Sequence, residues 1–221
     1  MASYPRIQTS RVRRGRGGAR QPAARGSLGG GRSRRVGELS AVVDIVGARV
    51  RLRSFTLDDV EPIAAAQEAD PTSFGPGGEE LRARLRKQIE RNPTLEDGEF
   101  LDLAIGVDGR LVGDVQARMP PRAWPGGVCE IGISLFADAR GEGFGREAVT
   151  LFTDYLFGEG LERVQASTSV DNAAMRRVLE LVGYGFEGIL RSYGPTPDGG
   201  REDYAMYAAT REDWPALPRD S

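Results

Sequence analysis

Glu130-Ile131-Gly132-Ile133-Ser134-Leu135-Phe136-Ala137-Asp138-Ala139-Arg140-Gly141-Glu142-Gly143-Phe144-Gly145-Arg146 decides the fold of this chain. Its first half belongs to a strand expected over Val128 to Phe136, with Cys129, Ile131, Ile133 and Leu135 on one face and Glu130, Gly132 and Ser134 on the other. Its second half opens a helix, because Ala148, Leu151, Phe152, Tyr155 and Leu156 recur at helical spacing before Gly158 and Gly160 stop the run. Between strand and helix lies a loop with glycine at alternate positions. Such a loop frees several backbone N–H groups at a helix N-terminus, where the helix dipole adds partial positive charge, and the result is an anion site. Gly141, Gly143 and Gly145 permit close backbone approach to phosphate, and Arg140 and Arg146 can add charge-assisted contacts to a ligand with several phosphates. The plainer alternative for an isolated glycine-rich loop is a tight strand-to-helix turn with no ligand.

Outward from this centre the chain alternates strands and helices. Upstream, apolar and charged residues alternate from Val50 to Phe55, as a half-buried strand requires, and Thr56 then reads as a helix cap. Leu57 to Gln67 and Glu79 to Arg91 are helical in pattern, the second with Leu81, Leu85 and Ile89 on one stripe. Phe100 to Val107 and Leu111 to Arg118 form a hairpin around Asp108-Gly109-Arg110, since Asp-Gly suits the positive dihedrals of a two-residue turn. Downstream, Val164 to Val170 reads as a strand and Asn172 to Val182 as a helix capped by Asp171 or Asn172 and stopped by Gly183. Two last strands, Gly185 to Arg191 and Asp203 to Ala209, flank the turn-rich Pro195 to Gly200. The expected fold class is mixed α/β with a strand-loop-helix-strand-helix unit at its centre.

Composition narrows the chemistry. The 221 residues are 39% hydrophobic, enough for one domain with a substantial core. There is no histidine, which excludes zinc sites and triads built on imidazole, and the single Cys129 excludes an intrachain disulfide and points to a reducing compartment such as the cytoplasm. No apolar run approaches the roughly 20 residues of a membrane-spanning helix. The net charge of -2 conceals an asymmetry: residues 1 to 37 hold ten arginines and no acidic residue, leaving 20 basic against 32 acidic groups in the rest. An acidic body attracts cationic amines or basic peptides. The arm, rich in Arg, Gly, Ala and Ser without hydrophobic periodicity, reads as disordered. It is taken first as a dispensable extension or an upstream start, with non-specific contact to a nucleic acid as the alternative. Ser33-Arg34-Arg35 is similar to a twin-arginine export signal, but Glu38 and Asp44 interrupt the apolar segment that should follow. The expected organisation is an extension over 1 to 37, a linker or first-strand lead-in over 38 to 48, a folded domain over 49 to 214, and a tail over 215 to 221.

Spacing separates the nucleotide-binding alternatives. A dinucleotide fingerprint needs Gly-x-Gly-x-x-Gly, and the residue three after Gly143 is Arg146; a P-loop needs Gly-Lys-Ser or Gly-Lys-Thr, which is absent. Arg140-x-x-Gly143-x-Gly145 instead resembles the diphosphate-binding motif of the GNAT acetyltransferase superfamily, and Glu130 to Leu135 resembles its fourth strand. Asn172-Ala173-Ala174-Met175-Arg176-Arg177-Val178-Leu179 and Gly183-Tyr184-Gly185-Phe186 are similar to the helix and terminal turn that follow. The ending, Gly188 to Arg191, Asp203 to Tyr207 and Glu212-Asp213-Trp214, is similar to the branch containing the RimJ/RimL ribosomal-protein N-terminal acetyltransferases.

The resemblance implies a mostly antiparallel central sheet with flanking helices, acetyl-CoA as co-substrate without a metal, and transfer of acetyl to a primary amine. By position, backbone groups of Ile133, Ser134 and Leu135 would pair with the pantetheine arm, and residues 140 to 146, Arg140, Gly141, Glu142, Gly143, Phe144, Gly145 and Arg146, would hold the diphosphate. Asn172 would bond the cofactor or act as a simple helix cap. Glu130 is the candidate general base, its alternative being a structural carboxylate on the same strand. The tyrosine that many members use as acid is Leu179 here, and the serine some members use is Met175. Ser134, Ser167, Ser169 or Tyr184 remain as substitutes, with core packing the simpler role for Tyr184. Trp124, Tyr193, Asp203 and Tyr204 are candidates for the acceptor side. The acceptor is expected to be a small cationic amine or a protein N-terminus, the latter favoured because an α-amine titrates near pH 8, well below lysine. A monomer and a homodimer are both compatible. The competing class is a catalytically silent module that binds coenzyme A or a polyanion.

Overall fold

Asp108 and Gly109 both adopt positive φ, 50° and 76°, and close the hairpin between β3 (Phe100–Val107) and β4 (Arg110–Arg118). The computed structural model describes residues 43–70, 77–90, 95, 99–120, 126–196 and 199–214. The expectations for 1–37, for 38–42 of the lead-in, for Trp124 and for 215–221 lie outside the described residues. In β4 one extra residue, Val112, is accommodated between Leu111, opposite Gly106, and Gly113, opposite Ile105. This bulge lets Val112 and Val115 both reach the core with Leu103 and Ile105.

The hairpin sits inside an eight-stranded sheet ordered β1-β2-β3-β4-β5-β6-β8-β7. Beyond it lie β1 (Asp44–Val46) and β2 (Arg51–Ser54) on one side, and β5 (Val128–Leu135), β6 (Arg163–Ser169), β8 (Arg201–Thr210) and β7 (Gly185–Pro195) on the other. Every neighbouring pair is antiparallel except β5 with β6. The sheet is thus mixed and mostly antiparallel, as the resemblance implied. Pairing begins at Asp44, ahead of the strand read from Val50 onward. The final two strands are longer than the sequence pattern shows, because their pairing resumes past a bulge, at Gly194↔Glu202 and Pro195↔Arg201.

One face of the sheet carries the main core. Helix α3 (Phe144–Gly158) presses Ala148, Val149, Phe152 and Leu156 onto Leu101, Leu103, Cys129 and Ile131, and α4 (Ala173–Val182) adds Leu179. Leu151 and Tyr155, expected on the same stripe, are only partly buried at its margin. The C-terminal end is fastened here: Trp214 donates to Asp154 at 2.6 Å and its ring meets Tyr184 edge-on at 5.9 Å. The opposite face carries a smaller cluster. There the expected helix from Leu57 divides into a single 3-10 turn, Leu57–Asp59, and α1 (Val60–Ala69), which packs Val60, Ile63 and Ala64 against Leu81 and Leu85 of α2 (Gly78–Glu90). Arg53 fixes the turn by donating twice to Asp59, each at 2.7 Å.

The consequential feature lies at the sheet's centre. β5 and β6 pair only at Val128↔Arg163, Cys129↔Val164 and Glu130↔Gln165, although β5 continues to Leu135 and β6 to Ser169. Beyond those pairs β5 keeps to β4 and β6 keeps to β8. The two strands diverge, and the facing backbone edges of 131–135 and 166–169 form a cleft in mid-sheet.

Candidate functional site

Gly143 is the residue before α3, with φ 85°, and Gly141 has φ 84°. Nothing lies within 4 Å of a Cβ built at either position, so the requirement for glycine is conformational and the outer side of the loop is open. A Cβ on Gly145 would lie 3.4 Å from Leu135 and 3.8 Å from Ile133, so the first turn of α3 rests directly on β5. The earliest bond into the helix runs from Glu147 N to Gly143 O at 3.3 Å. The amides of residues 141–146 precede it and have no acceptor among the described residues, which leaves a row of donors at a helix N-terminus beside the open end of the cleft. A ligand carrying a diphosphate on an extended arm fits this combination.

The loop is braced from behind. Arg140 donates through Nε to Leu135 O at 2.9 Å and through Nη2 to Asp70, so its guanidinium ties the loop to the end of β5 and to α1. Sequence reasoning pictured that side chain on phosphate; tertiary packing engages it elsewhere, whereas Arg146 stands exposed on the first turn of α3. Phe144 likewise contributes only backbone, because its ring is buried beneath the Arg49 guanidinium at 4.4 Å. Arg49 also donates to Glu142 O at 3.0 Å. Glu147 accepts from Arg49 N at 2.8 Å and Val50 N at 3.1 Å, joining α3 to the β1–β2 turn. This bracing was not legible in the sequence, since it joins residues nearly a hundred positions apart.

Along the cleft, Ile133 and Leu135 are partly buried against the main core, while Ser134 is exposed on the opposite face. Their backbone edge toward β6 is available for an extended ligand to join as a strand does. At the far side, Asn172 is the cap of α4, its Oδ1 accepting from Met175 N at 3.0 Å. The cap role is realised, and the amide's NH2 group remains on the exposed side.

Glu130 lies where β5 and β6 part, on the face of Ser134. Its Oε1 accepts from Ser167 Oγ at 2.8 Å and pairs with Arg118 Nη2 at 3.1 Å. Glu130 is 18% exposed and Arg118 50%. The hydroxyl and the guanidinium hold one carboxylate oxygen and so orient the other. Ser167 was among the expected acid candidates, but the structure uses it to position Glu130. Arg118 was missed; only the β4–β5 register, which the connecting residues 119–127 do not specify, brings it opposite Glu130.

Residues 49–185 match the family model described as an acetyltransferase (GNAT) domain. The chain belongs to the GNAT acetyltransferase family. Solved structures agree in fold. Mycobacterium smegmatis RimJ in complex with CoA-disulfide is 22% identical with a TM-score of 0.63, over 80% of this chain and 89% of that one. RimL, a ribosomal L7/L12 alpha-N-protein acetyltransferase in complex with coenzyme A, is 18% identical with a TM-score of 0.64, over 76% and 98%. A GCN5-related N-acetyltransferase from Brucella melitensis is 24% identical with a TM-score of 0.62, over 79% and 81%. No curated protein sequence matches the chain.

Within this GNAT domain the remaining candidates separate by burial. Tyr184 is 4% exposed and its hydroxyl meets Thr153 Oγ1 at 2.7 Å, so it is a packing residue whose phenol burial keeps protonated. Leu179 is fully buried, and Met175, also apolar, packs against the core. Ser169 donates to Glu202 at 2.5 Å. Asp203 accepts from Ser192 N at 2.8 Å, a structural task at the β7–β8 bulge. Tyr193 and Tyr204 meet at a tilt of 57° with ring centres 5.6 Å apart, Tyr204 lying over Gly194, where no side chain fits. Burial drives the Cys129 thiol up to about 12, so it remains a neutral core group.

Proposed function

We propose that this GNAT domain transfers acetyl from acetyl-CoA to a primary amine, on a protein or peptide N-terminus or a small cationic amine, in the cytoplasm, with residues 49–214 as the catalytic body. The carrying observation is the conjunction of three features: the open amides of residues 141–146, the cleft between β5 and β6, and Glu130 at its inner end. In this reading the amides and Arg146 receive the diphosphate. The backbone of Ile133, Ser134 and Leu135 receives the pantetheine arm, and the NH2 group of Asn172 faces it across the cleft.

Acetyl-CoA supplies the activated acyl group. An acceptor amine arrives as ammonium and must lose a proton before its lone pair attacks the carbonyl carbon; Glu130 takes that proton, directly or through water. The new C–N bond forms, the C–S bond breaks, and the nitrogen's second proton ends on the departing sulfur. Ser134 is the hydroxyl on the same face as Glu130 and the one candidate on β5 for passing a proton to sulfur.

The test is incubation with acetyl-CoA and an amine panel, read by thiol release and mass spectrometry. Acetylated product with Glu130-dependent turnover supports the reading, and neither cofactor binding nor product refutes it. A silent coenzyme A or polyanion module is favoured only by Leu179 and Met175 standing where the family often places an acid. For such a module, Glu130→Gln leaves the biological role intact.

A further inference from the structure

Four arginines of the described strands share the face of the sheet that carries Glu130: Arg51, Arg53, Arg118 and Arg163. Arg51 is saturated by a two-fold contact to Asp44 at 2.6 and 2.7 Å. Arg53 is saturated by a two-fold contact to Asp59, and Arg163 by a two-fold contact to Glu187 at 2.7 and 2.5 Å. Arg118 differs. It pairs with Glu130 through Nη2 at 3.1 Å, on an oxygen already held by Ser167, and its other N–H groups donate no hydrogen bond to a described residue. A guanidinium presents five donors in a planar fork suited to two-point recognition of a carboxylate.

Charge balance beside Glu130 gives that spare fork a purpose. Glu130 and Arg118 together are neutral. An approaching ammonium adds an uncompensated positive charge close to Arg118, in a partly desolvated site where such repulsion is costly. An acceptor that also carries an anion next to its nitrogen restores neutrality: the ammonium meets Glu130 and the anion meets Arg118.

We infer that Arg118 selects the acceptor by binding a carboxylate close to the reacting amine, so the preferred acceptors are zwitterionic. This rests on Glu130 facing the acceptor amine. Two sources present that chemistry, the α-carboxylate of a free amino acid and the side chain of an N-terminal Asp or Glu. Purely cationic amines are poor acceptors on the same ground.

The experiment measures kcat/KM with acetyl-CoA for matched pairs: alanine against its decarboxylated amine, ethylamine, and Asp-Ala amide against Ala-Ala amide. Wild-type protein favours at least one carboxylate-bearing member by roughly 10- to 100-fold, the worth of a charge-assisted contact. The pair that discriminates identifies the source. Arg118→Gln removes that ratio through KM of the acceptor, with KM of acetyl-CoA unmoved; Arg118→Lys restores part of it, and Arg118→Glu shifts preference to an acceptor with a second cationic group. Acetylation across the panel with no preference, or a preference that survives in Arg118→Gln, overturns the inference and leaves the transferase reading standing. No acetylation of any amine overturns both.

Discussion

Asp102 and Asp114 are diagonal neighbours on β3 and β4, on the face beneath α2, as the pairs Asp102↔Gln116 and Ala104↔Asp114 require. Gln88 of α2 donates to Asp102, and Arg84 is the cation whose field reaches both carboxyls. Ser134 is the cross-strand partner of Asp114 on β5. Burial, and secondarily the charge of Asp102, raise Asp114 from an ordinary value of 3.8 to about 7. The sign follows. As pH rises above 3.8 the unfolded chain releases this proton while the folded chain keeps it, so folding is progressively penalised until the folded carboxyl ionises near 7. A tenfold difference in proton affinity is worth about 1.4 kcal/mol, giving an upper bound of about 4 kcal/mol at pH 8. Asp114 keeps some solvent contact, which screens part of this, so about 2 to 4 kcal/mol is expected. Asp114→Asn removes the penalty and nearly preserves shape. Thermal melts by circular dichroism from pH 4.5 to 8 check it. The advantage of the variant shrinks to about 1 kcal/mol or less at pH 4.5, and at pH 8 the variant melts higher by roughly 5 to 15 °C for a chain of this size. Parallel melting curves across the range, or a variant less stable at pH 8, would refute the reasoning.

Three further outcomes are expected. Gly143→Asp places a charged side chain on a φ of 85° at the mouth of the amide row, and acetyl-CoA binding measured by titration calorimetry is lost; undiminished affinity rules out the loop as the diphosphate site. Glu130→Gln lowers kcat by about 10²- to 10⁴-fold with KM for acetyl-CoA unchanged, and a turnover within a few-fold of wild type removes Glu130 from the chemistry. Phe152→Ala, at a fully buried position on the sheet-facing side of α3, costs about 3 to 5 kcal/mol in urea unfolding, and a loss below about 1 kcal/mol would contradict the packing described.

The sequence by itself determined what depends on neighbours along the chain. The strand before the loop, the helix after it and the hairpin at Asp108-Gly109 follow from periods of two and 3.6 residues and from the dihedrals that glycine permits. The same locality made Gly141, Gly143 and the stop at Gly183 legible, each with positive φ. Tertiary structure decided what depends on register and long-range packing. The divergence of β5 from β6, the meeting of Arg118, Ser167 and Glu130, the engagement of Arg140 with Asp70, and the burial of Asp102 beside Asp114 all join segments whose connections leave their alignment open. A one-residue slip along a strand turns every side chain to the other face, and only the packed core fixes that choice. The anion loop was therefore readable from its own residues, whereas the group that positions the base, and the arginine beside it, emerged only once the strands were aligned.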